Sequence, residues 1–194
     1  MSDKTPWILA VLAVASLAGC GPKPPPPAAP TIQALMAEKI DPNADALWAA
    51  VGTEVTDKGT IEHAPATDAE WAAVEARAQA LYDGARILAK TRAVGGAAHS
   101  PLADSDTPGT RTPAQITADI QADPAKFAAA AGRLGQAAQE ALDGVRGRDK
   151  AKIMAAGEHL DAACEACHAA YWYPRGQAIP LPDYETFGRQ AVNR

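Results

Sequence analysis

Five consecutive residues near the end of the chain, Cys164-Glu165-Ala166-Cys167-His168, carry the clearest chemistry in the sequence. Cys-x-x-Cys-His is the spacing used for covalent attachment of haem (heme c): two thiols add to the macrocycle's vinyl groups as thioethers, and the histidine that follows supplies an axial nitrogen to iron. On an α-helix, at about 100° per residue, Cys164 and His168 differ by about 40° and Cys164 and Cys167 by about 60°, so all three share one face. A thioredoxin-like thiol pair would need a strand before the motif and a βαβ frame, and no strand-like alternation is evident. A zinc site would need further ligands, and only His63, His99 and His159 remain beside His168. His159 lies about 180° round the helix from His168 and is expected to be an exposed polar residue, while His99 falls in a Gly- and Pro-rich stretch and is expected to be solvated.

The third cysteine has a different setting. A run from Trp7 to Gly19 is mostly apolar and follows a short start containing Lys4; it is shorter than the ~20 residues a membrane-crossing helix needs and reads as the core of a secretory signal. It ends in Leu17-Ala18-Gly19-Cys20, which resembles the lipobox of bacterial lipoproteins, so Cys20 is expected to carry lipid. Two thiols then remain for two vinyl groups. Export also suits haem attachment of this kind, which takes place outside the bacterial cytoplasm, and the chain is expected on the periplasmic side of a membrane. After Cys20 comes Gly21-Pro22-Lys23-Pro24-Pro25-Pro26-Pro27-Ala28-Ala29-Pro30, whose prolines favour an extended spacer of about 30 Å at ~3.1 Å per residue. The expected organisation is a signal peptide over residues 1–19, a lipidated cysteine and linker over 20–30, one helical domain over 31–175 and an irregular tail over 176–194.

Composition fits one domain built on small side chains. Of 194 residues 47 are Ala, whereas Leu, Ile, Val and Phe together number 31. Such a thin set of large apolar residues would point to disorder at extreme charge, but the net charge is only −5 and Ala is the strongest helix former. An Ala-rich bundle whose centre holds something besides side chains satisfies both facts. The mild acidity and the lack of a Lys/Arg-rich face in the sequence argue against a nucleic-acid partner.

The elements that must position the motif can be read from caps and periodicity. A first helix opens near Thr31 with Ile32, Met36 and Ile40 on one stripe. Asp41-Pro42 is expected to interrupt it, with Asp41 capping a restart that carries Leu47, Trp48 and Val51 inward. Residues 53–66 read as a polar loop. A second helix starts at the capping box Thr67-Asp68-Ala69-Glu70 and runs through Trp71, Val74, Ala78, Leu81, Ala85 and Leu88 to about Arg92. The stretch from Gly95 to Pro113 reads as a long surface loop. A third helical region spans Pro113 to about Arg146 with a cap-plus-proline restart at Asp123-Pro124, and places Phe127, Leu134, Ala138 and Leu142 inward. The fourth runs from Asp149 to about Tyr173, before Pro174, with Ile153, Gly157, Leu160, Cys164, Cys167 and Tyr171 alternating by four and three, the seam of a left-handed bundle. The fold class expected is all-α, an antiparallel four-helix bundle with the haem-attachment motif near its C-terminal end.

That arrangement resembles the cytochrome c′ family, the class II cytochromes c, over residues 31 to about 175; class I members carry the motif near the N-terminus instead. The segment Ile40-Asp41-Pro42-Asn43-Ala44-Asp45-Ala46-Leu47-Trp48 and the ending Tyr171-Trp172-Tyr173-Pro174 are similar to a lipoprotein-like branch of that family. The resemblance implies one covalent haem per chain and a residue from the first helix on the other face of the iron. In this chain that residue is Met36. A Met sulfur there closes the iron and favours electron transfer, so the expected function is a membrane-anchored electron-transfer haem protein and not an enzyme, with His168 and Met36 as axial ligands and a redox partner that the sequence does not name. An apolar residue there leaves a five-coordinate iron that binds NO or CO, the alternative function; Met36 as simple core packing belongs to that reading. Met154, on the motif-bearing helix itself, is poorly placed to serve. Many members carry a basic residue four positions after the haem histidine; here Trp172 holds that place, which weakens the gas-binding reading, and Arg175 lies a turn further on. Trp172 and Tyr171 are expected to pack on the haem edge or in the bundle end. Family members are often homodimers through their first two helices, an option the Ala-rich faces leave open.

Overall fold

The computed structural model describes residues 29–96, 101–103 and 105–173. The readings on the signal segment, on Cys20 and most of the linker, on His99, and on Pro174, Arg175 and the tail fall outside these described residues.

The chain is predominantly helical. A short helix α1 (Ile32–Leu35) is capped by Thr31, whose Oγ1 accepts from the Ala34 N–H at 3.1 Å. It runs into a π-helical turn over Met36–Ile40, and from there without a break into α2 (Asp41–Ala50). The expected cap at Asp41 is therefore corrected: the backbone stays helical through Ile40 and Asp41, and the Asp41 N–H donates to the Met36 carbonyl. The physical reason lies in Pro42, which lacks an N–H and whose ring would press on the carbonyl four residues back in a regular α-helix; widening the ladder by one residue absorbs it. The buried Asn43 side chain donates to the Lys39 carbonyl at 2.6 Å, satisfying an acceptor within the widened turn.

Residues 53–66, expected as a loop without strands, instead contain a two-stranded antiparallel hairpin, β1 (Gly52–Thr56) with β2 (Gly59–His63), in register Gly52 with His63 and Thr56 with Gly59. Its β-branched residues Thr53, Val55, Thr60 and Ile61 suit strands, and Gly59 takes φ of +125° after the turn. Both faces of the hairpin are open to solvent, which is why no apolar alternation betrays it.

The long helices begin where their caps predict. Thr67 and Glu70 form a complete capping box at the start of α3 (Asp68–Leu88). Thr112 and Gln115 form a second at α4 (Pro113–Ala122), and Asp123 and Asp149 accept from the third helical N–H of α5 (Pro124–Arg146) and α6 (Lys150–Tyr171). Helix α5 lies along both α3 and α6, while α2 packs on α3 and touches α6. Among the large side chains, Leu35, Ile40, Leu81, Leu88, Ile116, Ile120, Leu142 and Leu160 are fully buried. Alanines fill much of the rest, Ala78 and Ala138 with no exposed surface at all; small side chains let helix axes approach closely. Two expectations are adjusted here. Trp48 is 42% exposed, its Nε1 donating to the Gly157 carbonyl at 3.2 Å, and Leu102, in the expected surface loop, is buried.

The segment after α3 is tied to the start of the domain. Ile32 and Gln33 N–H groups donate to the Ala93 and Val94 carbonyls, and the Gln33 side chain bridges the Gly96 N–H and the Pro101 carbonyl. The Arg111 N–H donates to the Trp172 carbonyl, so the same connection reaches the C-terminal end of α6.

Candidate functional site

Helix α6 presents the motif as its spacing requires: Cys164, Cys167 and His168 are half-buried, while Glu165 and Ala166 between them are exposed. Both cysteines are free thiols. Just past the motif the helix closes tightly around His168, whose carbonyl accepts from the N–H groups of both Trp172 and Tyr173. The Trp172 and Tyr173 rings lie with centroids 6.4 Å from the imidazole, the latter edge-on.

These residues border a cavity of about 260 Å³. Ile32 of α1, Met36 of the π-helical turn and Asp41 of α2 line one part; Leu88 of α3, Ile116 and Ile120 of α4 and Phe127 of α5 supply apolar walls; Cys167, His168, Tyr171, Trp172 and Tyr173 come from α6 and its end. The π turn matters here, because one extra residue in the ladder puts Met36 and Asp41, five apart, on the same cavity. Of the residues singled out from sequence, Met36, Cys167 and His168 are thus brought together, and Cys164 sits one turn earlier on the same helix face. Cys20 lies outside the described residues. Met154 is 50% exposed and away from the cavity, and His159 is exposed and paired with Glu140 at 2.6 Å, both as expected.

The electrostatics keep the thiols neutral. Burial, reinforced by the nearby Asp41 and Asp161 carboxylates, pushes Cys164 up to about 11. Burial raises Cys167 as well, with Arg133 pulling it partly back. Burial likewise raises the Asp41 carboxyl, against the favourable influence of His168.

Tyr171 completes the site. Its ring meets Phe127 edge-on with centroids 5.3 Å apart, the residue is 5% exposed, and its hydroxyl is buried with no hydrogen-bond partner among the described residues. A buried hydroxyl left unpaired costs on the order of 1–3 kcal/mol, and Tyr171 is one of the residues lining the cavity, so a ligand that brings an acceptor to that hydroxyl would relieve the cost. A mostly apolar cavity bordered by Cys167 and His168, with the Cys164 thiol one turn earlier on the same helix and an unpaired Tyr171 hydroxyl close by, fits a haem.

Comparison with known proteins decides the family. A family model described as cytochrome C′ matches residues 68–172, more than half of the chain. The chain belongs to the cytochrome c′ family. Cytochromes c′ are haem c proteins, and the matched span contains the whole attachment motif together with the α3, α4, α5 and α6 walls of the cavity. Neither the curated proteins nor the solved structures yielded a match. The cytochrome c′ match begins after Met36 and Asp41, so the two N-terminal groups on the cavity are features of this chain established by its own geometry.

Sequence reasoning missed three parts of the site. Ile116 and Ile120 carry an i, i+4 signal that marks a buried face without saying what it faces. Ala103 reaches the cavity from an irregular connection, and Asp41 was read as a cap.

Proposed function

We propose that this protein is an exported monohaem c-type cytochrome that transfers electrons. Haem would be held through thioethers to Cys164 and Cys167, with His168 as one axial ligand and Met36 as the other; iron so bound supplies a ferric/ferrous couple. The single observation that carries the reading is that the Met36 thioether and the His168 imidazole, from separate elements, border one cavity. A Met/His pair raises the reduction potential. The apolar residues Ile32, Leu88, Ile116, Ile120 and Phe127 line the cavity, a low-polarity surrounding that would keep solvent reorganisation around a bound metal small. At about 260 Å³ the cavity falls just below the ~300–1,000 Å³ of most cofactor clefts.

We further read α2, α3, α5 and α6 as the four helices of an antiparallel bundle. Support comes from the mutual packing of α3, α5 and α6, the bridging position of α2, and the three-residue join between α5 and α6. Cys20 is proposed as a lipid anchor, with the domain on the periplasmic side of a bacterial membrane. Among the described residues no helix is long and apolar enough to cross a membrane.

Met36→Ala tests the ligand assignment in the haem-loaded protein. A change of the ferrous spectrum from low to high spin, with CO binding appearing, is the expected result. An unchanged spectrum would remove Met36 from the iron, and CO binding already present in the unaltered protein would favour the five-coordinate, gas-binding function.

A further inference from the structure

A second surface on the molecule has a chemistry of its own. At the end of α3 the exposed side chains of Arg86, Lys90 and Arg92 surround Ile87, which is 39% exposed, and they line a shallow groove together with Pro30. Some cations elsewhere are paired, Arg146 with Glu75, Arg148 with Asp68 and Lys150 with Glu62. Arg86, Lys90 and Arg92 make no carboxylate pair among the described residues, and Asp83 is the one acid in the groove. Two of the three are held in place, Arg86 with its guanidinium 5.6 Å over the Tyr82 ring and Arg92 by donating to the Ala89 and Thr91 carbonyls. On a chain of net charge −5, three clustered cations around an exposed apolar side chain, with one acid beside them, suit an anionic, partly apolar occupant.

The position of the groove says which. Ala29 and Pro30 are part of its lining, and Cys20 lies nine residues before Ala29, a reach of about 28 Å for an extended Pro-rich segment. The groove therefore adjoins the point at which a tether from a lipidated Cys20 would enter the described domain. We propose that the Arg86–Lys90–Arg92 face docks on anionic phospholipid headgroups, with Ile87 entering the interfacial layer. The docking rests on the anchor reading for its local concentration and is independent of the iron ligands. It also orients the haem cavity: the Ile32 N–H is bonded to the Ala93 carbonyl at 2.8 Å, and the Arg92 guanidinium lies 5.8 Å from the Phe127 ring, so two cavity-lining residues adjoin the patch. A docked domain therefore holds the Ile32 and Phe127 side of the cavity next to the membrane.

Each basic residue at an anionic bilayer surface favours docking by about fivefold, so three bias orientation by roughly a hundredfold. The test anchors the haem-loaded full chain to vesicles through Cys20, by its own lipid or by coupling the thiol to a maleimide lipid, and measures amine labelling of Lys90 against Lys58 of the hairpin as internal reference. In phosphatidylglycerol vesicles Lys90 labelling is expected to fall at least ~10-fold relative to neutral phosphatidylcholine vesicles while Lys58 is unaffected, and Arg86→Gln to restore about fivefold of the loss. Equal Lys90 labelling on both vesicles overturns the proposal. So does protection on both, or protection that appears only with an added acidic protein, which would reassign the patch to a protein partner. The mass of residue 20 in the exported protein separately tests the natural anchor, so its failure is distinguishable from failure of the docking.

Discussion

Tyr171→Phe gives a sign rather than only a size. The change keeps the ring against Phe127 and deletes one oxygen that is buried without a partner among the described residues. If that hydroxyl stays unpaired in the haem-loaded protein, its removal relieves a burial cost and stabilises the fold by about 1–3 kcal/mol. If the bound haem supplies an acceptor, the only strong ones on its periphery are its propionate carboxylates, and a hydrogen bond to a charged group contributes about 1.5–3 kcal/mol. The account predicts the second case. For a domain of this size each kcal/mol moves Tm by about 2–4 °C, so Tyr171→Phe should lower Tm by roughly 3–12 °C, read by far-ultraviolet circular dichroism with the visible spectrum recorded alongside. An unchanged or higher Tm in fully loaded protein would refute the reasoning that the orphan hydroxyl belongs to the haem site.

Gly132 has nothing within 4 Å of an added Cβ, so Gly132→Ala should gain about 0.8–1 kcal/mol of helix propensity, while at Gly144 the Cβ would sit 3.1 Å from the Ile153 backbone nitrogen, and an overpacking cost of about 1–3 kcal/mol should cancel or exceed that gain; urea melts of the two variants compare them directly. Leu160, fully buried one turn before Cys164, should cost about 2–5 kcal/mol on truncation to Ala, with incomplete haem loading as the visible correlate. Glu70 is held below its ordinary carboxylate range by the Ala66 and Thr67 N–H groups. Its stabilisation is therefore present above the unfolded glutamate value of ~4.3 and is lost as pH falls through the lower folded value, so the Tm gap between the unaltered protein and Glu70→Gln should be constant near neutrality and close below about pH 4.

Legibility in the sequence followed the range of the interaction. Thr67, Asp123 and Asp149 satisfy backbone donors within three residues, so the starts of α3, α5 and α6 could be read directly. The seam of α6 was legible for the same reason: Ile153, Leu160 and Tyr171 are buried at the spacing read from the chain. The hairpin was hidden because Val55 and Ile61 face solvent on a two-sided exposed ribbon. The π turn depends on how Pro42 and the buried Asn43 are accommodated against α3, a tertiary matter that looks locally like a cap. At the site, the motif announced its own chemistry. The walls did not, because Ile116, Ile120 and Leu88 converge on His168 only through the packing of α3, α4 and α6. The cationic face at the end of α3 escaped notice because Arg86, Lys90 and Arg92 are few in the sequence and form one face only where the end of α3 and the turn after it bring them together around Ile87.

The most direct test of the central claim is the visible absorption spectrum of the exported, haem-loaded protein, ferric and then dithionite-reduced, before and after adding CO. Iron held between His168 and Met36 predicts sharp low-spin ferrous bands that CO leaves unchanged. A broad high-spin spectrum that shifts on CO addition would contradict the account.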